Sequence, residues 1–145
     1  MAKRQQIDAA GAVLFRKNEN QIEIALIFRK GKWDLPKGKR EKGEEIHVCA
    51  KRELEEELGI SDVLIGEELI QTYHEYSQFD ADWGKTTYWF VATAPNQEFK
   101  PQAEEDIEKV EWCDAQKANN VVEFENLVRV VDTFSRWLLR QKYLD

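Results

Sequence analysis

The segment from about Glu44 to Leu58 constrains the chain more than any other. With Ile46 as origin and steps of about 100° per residue, Ile46, Ala50, Leu54 and Leu58 share a stripe about 120° wide, enough for one helix face to pack on a core. Gly59 followed by Ile60 supplies the stop, because glycine accepts the left-handed conformation that ends a helix. On the same wheel Glu53, Glu56 and Glu57 fall near about 340°, about 280° and about 20°, on one border of the apolar stripe. Like charges spaced i, i+3, i+4 repel one another and oppose the helix unless a cation compensates. Glu55 points elsewhere and reads as surface. Arg52 stands four residues before Glu56 and is expected to hold that carboxylate in a forked ion pair.

Hard oxygen ligands without His or Cys suit Mg²⁺ or Mn²⁺ better than zinc. Acidic surface helices with i, i+4 pairs are also common, so the helix alone leaves both readings open.

Around this helix the pattern is strand-like. Residues 8–15 (DAAGAVLF) read as a buried strand. Ile22, Ile24, Leu26 and Phe28 alternate as a second strand, joined to the first through Lys17–Asn20. A loop rich in Gly, Lys and Pro occupies residues 29–43. Further strands are expected at 63–75, 85–94 and 107–113, and a closing amphipathic helix at 124–139, with Leu127, Val130, Val131, Phe134, Trp137 and Leu138 on one face. The order predicts an α/β fold, a mixed β-sheet sandwiched between helices (α/β/α). At 145 residues, with no repeat or linker, the chain is expected to be a single domain over 1–145.

Charge is segregated along the chain. The net charge of −7 excludes a general duplex-binding protein, which needs a basic face. Residues 29–42 carry seven basic and two acidic side chains, whereas residues 43–75 carry two basic and ten acidic ones. A cationic loop therefore abuts an anionic helix. A second acidic stretch spans 97–114. Two cysteines, Cys49 and Cys113, lack metal-ligand spacing and read as buried thiols of a reducing compartment. The basic N-terminus leads into no apolar run, and no stretch matches a membrane span, so a cytoplasmic location without membrane contact is expected.

Gly38, five residues, Glu44, seven residues and then Arg52-Glu53-Leu54-Glu55-Glu56-Glu57-Leu58-Gly59-Ile60 resembles the complete box of the Nudix hydrolase superfamily. The resemblance implies the Nudix fold and divalent-cation-dependent cleavage of a diphosphate linkage in nucleoside diphosphate derivatives. Residue by residue it implies Glu53, Glu56 and Glu57 as metal ligands, together with Gly38 in the loop before the helix. It implies Arg52 as the arginine orienting one glutamate, Glu44 as support for that loop, and Gly59 as the helix end. The general base is a box glutamate or one from a later loop, for which Glu105 is the first candidate, ahead of Glu104 and Asp106. Many members of the family form homodimers; the residues themselves carry no sign of oligomeric state.

Substrate hints are local. Lys37 and Lys39, fixed by Pro36 and Gly38, are expected on distal phosphates. The segment from Trp33 to Lys39 resembles the loop of Nudix enzymes acting on dinucleoside polyphosphates and diphosphoinositol polyphosphates. Tyr76, sixteen residues past Ile60, resembles the base-stacking tyrosine of dinucleoside polyphosphate hydrolases, and Lys85 adds a further cation beside the expected cleft. The proline of the ADP-ribose class and the coenzyme A signature are not evident. The expected substrate is a dinucleoside polyphosphate such as diadenosine tetraphosphate. The alternatives are a diphosphoinositol polyphosphate, an oxidised nucleoside triphosphate, ADP-ribose or capped RNA, or a non-catalytic nucleotide-sensing domain.

Overall fold

The computed structural model of the protein describes residues 3–141. Its spine is β1 (Gln5–Asn18), whose two halves take different partners. Residues 5–14 pair in parallel with β6 (Ala81–Thr93), and residues 9–11 pair on the other side with β4 (Lys37–Lys39). Residues 15–18 pair with β2 (Gln21–Arg29) across a two-residue link in which Glu19 has φ 58°. β3 (Lys32–Asp34) and β7 (Ile107–Asp114) pair with β2, and β5 (Leu64–Gln78) pairs with β6. The path runs β3-β2-β1-β6-β5; the β1–β6 pair is parallel and the other pairs are antiparallel, so the sheet is mixed as expected.

Among the described residues each face of the sheet is covered by one long helix. Successive side chains of a strand point to opposite faces. Ala10, Ala12 and Leu14 of β1 therefore join the core beneath α1 (Ile46–Leu58), while Val13 and Phe15 join the core beneath α3 (Glu125–Gln141). Burial on both faces explains why residues 8–15 read as an unbroken apolar run. The α1 side is floored by the small residues Ala10, Ala12 and Ala25, against which Ala50 and Leu54 pack, so the helix can seat close to the strands. α3 buries Leu127, Val130, Val131, Phe134, Trp137 and Leu138, the face expected from their spacing.

Several boundaries differ from expectation. α1 starts at Ile46, leaving Glu44 and Glu45 outside it. Residues 29–43 are not a plain loop: they contain β3 and β4, each too short to show a period. β5 and β6 extend to a two-residue turn, Phe79 (φ 53°) and Asp80 (φ 58°), both left-handed as a type I′ hairpin requires. A four-residue helix, α2 (Ala118–Val121), precedes α3.

Candidate active site

The helix α1 ends as its sequence dictates. Gly59 adopts φ 65° and donates its N–H to the Glu55 carbonyl at 3.0 Å. The Lys100 N–H donates to the Leu58 carbonyl at 2.9 Å, which ties the acidic loop after β6 to the end of the helix. Farther along, α1 lies against β4 so closely that a Cβ at Gly38 would overlap the Glu53 carboxylate.

Arg52 organises the near end of this seam. Its fork goes to Glu44, Nε donating to Oε2 at 2.7 Å and Nη2 to Oε1 at 2.9 Å. The sequence pointed the fork at Glu56; that carboxylate sits at 3.3 Å and is 48% exposed in its side chain, whereas Glu44 is held in a fixed, more enclosed position. Nη1 also donates to Glu53 at 2.7 Å, and Nη2 to the Lys39 carbonyl at 3.0 Å. The Arg52 guanidinium pulls the Glu44 carboxyl down to about 2, and Glu44 in turn accepts the Glu41 N–H at 3.1 Å. Glu44 therefore braces the loop before the helix.

A second ionic assembly holds the far end. Glu57 is 2% exposed, accepts Arg29 Nη1 at 3.0 Å and takes the Lys37 backbone N–H at 2.9 Å. Burial outweighs these partners and pushes the Glu57 carboxyl up to about 7. Arg29 Nη2 reaches Asp34 at 3.4 Å, and Asp34 accepts Lys37 Nζ at 2.9 Å. Glu57, Arg29, Asp34 and Lys37 thus close a ring linking α1 to β2, β3 and β4. Arg29 and Asp34 were not singled out from the sequence; their only signal there is opposite charges flanking a turn.

The three box carboxylates fit a hard divalent cation by donor chemistry: all are oxygen ligands, and burial disfavours the charge of both Glu53 and Glu57, which a cation would relieve. Among the described residues no three acidic, His or Cys side chains converge within metal-binding reach, since Glu53 and Glu57 are turned to their arginines. A cation would be held there by exchange of arginine contacts. Glu104, Glu105 and Asp106 are exposed around a 3₁₀ turn (Ala103–Glu105). Burial raises the Glu53 carboxyl, partly offset by Arg52, and the charges of Glu56 and Glu105 push in the same direction as burial, so Glu105 acts electrostatically on the seam.

The substrate candidates gather beside it. Strand register sets Lys37 and Lys39 of β4 on the same sheet face as Lys85 of β6 and Tyr76 of β5. Lys85 has no carboxylate partner among the described residues. Burial, then repulsion from Lys37 and Lys39, lowers its ammonium to about 8. Tyr76 stacks on His74 with ring centroids 5.6 Å apart. A cavity of about 240 Å³ opens here, lined by Lys37, Lys85, Thr87, Trp89, Phe124 and Asn126 among others. Thr87, His74 and Phe124 escaped the sequence reading because only the strand register and the turn into α3 bring them together.

Fold and site define an α/β/α domain in which a carboxylate-bearing helix, tied down by two bridging arginines, covers one face of a mixed sheet and a group of lysines lies on the other, the two meeting at β4. The chain belongs to the NUDIX domain family, whose model matches residues 5–138. It is 25% identical over 150 residues to the m7GpppN-mRNA hydrolase of Saccharomyces cerevisiae, covering 97% of this chain and 15% of that protein. It is 29% identical over 139 residues to the 8-oxo-(d)GTP phosphatase of Mycolicibacterium smegmatis, covering 88% of this chain and 41% of that protein. The chain therefore spans less than half the length of these relatives. Among solved structures, an Ap4A hydrolase of C. elegans in a binary complex superposes with a TM-score of 0.75 at 24% identity, over 92% of this chain and 98% of that one. The NUDIX domain of Shewanella oneidensis NrtR, complexed with ADP ribose, superposes with a TM-score of 0.73 at 18% identity, over 94% and 90% of the two chains. These structural likenesses establish the fold.

Proposed function

We propose that the protein is a pyrophosphohydrolase that cleaves a diphosphate linkage in a nucleoside polyphosphate, above all a dinucleoside polyphosphate such as diadenosine tetraphosphate. The observation that carries this reading is the unneutralised Lys85 on the same sheet face as Lys37 and Lys39, beside the Gly38–Glu53 seam. Cations held in one place without enough carboxylate call for an anion of several charges.

Glu53, Glu56 and Glu57, with the backbone at Gly38, would hold Mg²⁺ or Mn²⁺. Bound there, the ion supplies charge neutralisation at phosphate oxygens and acidifies coordinated water. The chain's own groups do the rest. Lys37, Lys39 and Lys85 bind phosphates; Arg52 and Arg29 orient carboxylates; Glu105, exposed and electrostatically linked to Glu53, accepts a proton from the attacking water. Tyr76 offers a ring face to a base. A second reading, hydrolysis of capped RNA or of 8-oxo-dGTP, is supported by the names of the curated relatives. The free thiols Cys49 and Cys113 favour a cytoplasmic site of action.

The test is a phosphate-release screen with Mg²⁺ and Mn²⁺ over diadenosine tetra- to hexaphosphate, 8-oxo-dGTP, ADP-ribose, a diphosphoinositol polyphosphate and capped RNA. Highest kcat/KM on a diadenosine polyphosphate is expected. Turnover of ADP-ribose alone would sink the polyphosphate preference.

A further inference from the structure

We infer that Trp83, beside Tyr76, forms a second ring-binding platform that takes the heteroaromatic base at the far end of a two-ended polyphosphate substrate. The inference rests on the hydrolase reading above and deepens it. The strand register lays out successive rows on the α3 side of the sheet: Lys37–Gly11–Trp89, Lys39–Ala9–Thr87–Thr72, Ile7–Lys85–His74 and Gln5–Trp83–Tyr76. Alternation keeps these side chains on one face, shared with Val13 and Phe15, which pack under α3.

The floor of this surface along β1 is low. Gly11 and Ala9 offer no bulk, and a Cβ at Gly11 would already overlap Trp89. Lys37 and Lys39 stand on one flank and Lys85 on the other, so an anionic chain can lie between them. At one end is the cavity walled by Trp89 and Phe124. Its Thr87 hydroxyl, in a residue only 4% exposed, has no hydrogen-bond partner within the described protein and is free for a ligand. Six residues along β6 from Trp89, and about 20 Å from it at the strand rise, stand Trp83 and its cross-strand neighbour Tyr76, just past Lys85 and His74, which form the near wall of the cavity.

The far end is prepared for a ring attached to a phosphate. The Trp83 indole is oriented by its Nε1–H, which donates to the Gln78 carbonyl at 3.0 Å. Lys39 Nζ lies 5.9 Å from the Trp83 ring centroid and Lys85 Nζ lies 5.8 Å from that of Tyr76. Lys39, like Lys85, makes no ion pair among the described residues. The neighbouring acids are engaged and fall on the opposite face: Glu75 pairs with Arg4 at 3.2 Å and Asp82 accepts from Ser77. Half-buried aromatic rings with adjoining unpaired ammoniums bind a base by stacking and its phosphate by charge. A substrate with one base can fill the cavity or the platform; one with two bases and a phosphate chain can fill both.

The experiment compares kcat/KM for diadenosine tetraphosphate and for adenosine 5′-tetraphosphate, which has the same phosphates and one base fewer. In Trp83→Ala the ratio of the two falls about tenfold, through KM of the two-based substrate, and Trp83→Phe recovers most of it. Equal losses on both substrates, or no loss on the two-based one, overturn the platform. Thermal unfolding of each variant shows whether the fold is kept, and a Trp83→Ala chain that fails to fold leaves Trp83→Phe against Trp83→Leu as the deciding pair. Calorimetric titration of the metal-free protein with each compound gives the same ratio without turnover. If the wild type hydrolyses neither compound the dinucleoside polyphosphate reading falls, while an unchanged binding ratio in the variants overturns the platform separately.

Discussion

The carboxylate of Glu57, almost wholly buried, is held by the guanidinium of Arg29 at 3.0 Å, although 28 residues separate them. Through its second nitrogen Arg29 also reaches Asp34, which holds the Lys37 ammonium. One side chain thus fixes the spacing between a proposed metal ligand and a proposed phosphate ligand. Arg29→Met leaves Glu57 without its cation in a buried place, and breaking a buried pair costs about 3–5 kcal/mol. Urea denaturation is expected to show that loss in Arg29→Met, and a smaller one in the Arg29→Met/Glu57→Gln double variant, where no buried charge is stranded. Additive losses would refute the coupling.

Glu56 separates chemistry from stability. Its side chain is 48% exposed and its contact with Arg52 is the longest of that arginine's box carboxylate bonds. Glu56→Gln is therefore expected to unfold within a few degrees of the wild type. Its kcat on any diphosphate substrate should fall on the order of a hundredfold, because a proposed metal ligand is lost. Phosphate release at the wild-type rate would rule out the proposed helix-borne metal mechanism.

What was legible in the sequence was what rests on local periodicity. The α1 stripe, its Gly59 stop, the two-faced burial of β1 and the apolar face of α3 follow from residues within one or two turns or strands of each other. What was hidden depends on register and on distant charge. β3 and β4 are three residues each and consist of charged and small residues in part, so no period marks them. Helical spacing aims the fork of Arg52 at Glu56; Glu44, outside the helix, wins because its carboxylate presents both oxygens to the guanidinium. Lys85 and Tyr76 were named from the chain, but His74, Thr87 and Trp83 join them only through β5–β6 pairing.

Two glutamates give the metal-free protein opposite pH responses. Glu44, drawn down to about 2 by its bond to Arg52, contributes stability present above the ordinary carboxyl value of 4.5 and lost as pH falls toward 2. Glu57, raised to about 7 by burial, binds its proton more tightly folded than unfolded, so its contribution is complete below 4.5 and lost as pH rises through about 7. Thermal unfolding with chelator present should decline from pH 5 to pH 8 in the wild type and decline less in Glu57→Gln. Saturating Mg²⁺ at pH 7 should release protons from the wild type, seen as a buffer-dependent calorimetric heat, and fewer from Glu57→Gln. Identical slopes in the two proteins would mean that Glu57 titrates normally.

Gly38 is the position where sequence economy and site geometry meet most tightly. Its backbone pairs with Ala10 of β1 while its Cα faces the Glu53 carboxylate, so that any Cβ would overlap the carboxylate's atoms. Neither party can retreat cheaply. β4 is held by its ladder to β1 and by the Lys37 N–H on Glu57, and Glu53 is held by Arg52 at 2.7 Å. Gly38 is not among the residues of positive φ, so Gly38→Ala introduces no backbone strain and its effect reports the overlap alone. Displacing Glu53 breaks its bond to Arg52 and, through the shared guanidinium, loosens Glu44. Overpacking of this kind costs about 1–3 kcal/mol, and activity should fall further than stability because Glu53 leaves its place. Gly38→Ala is thus expected to keep its fold at 25 °C, unfold at lower urea, and lose kcat by about a hundredfold with a raised Mg²⁺ requirement. Normal metal dependence in a folded Gly38→Ala protein would show that Glu53 has no part in holding the ion.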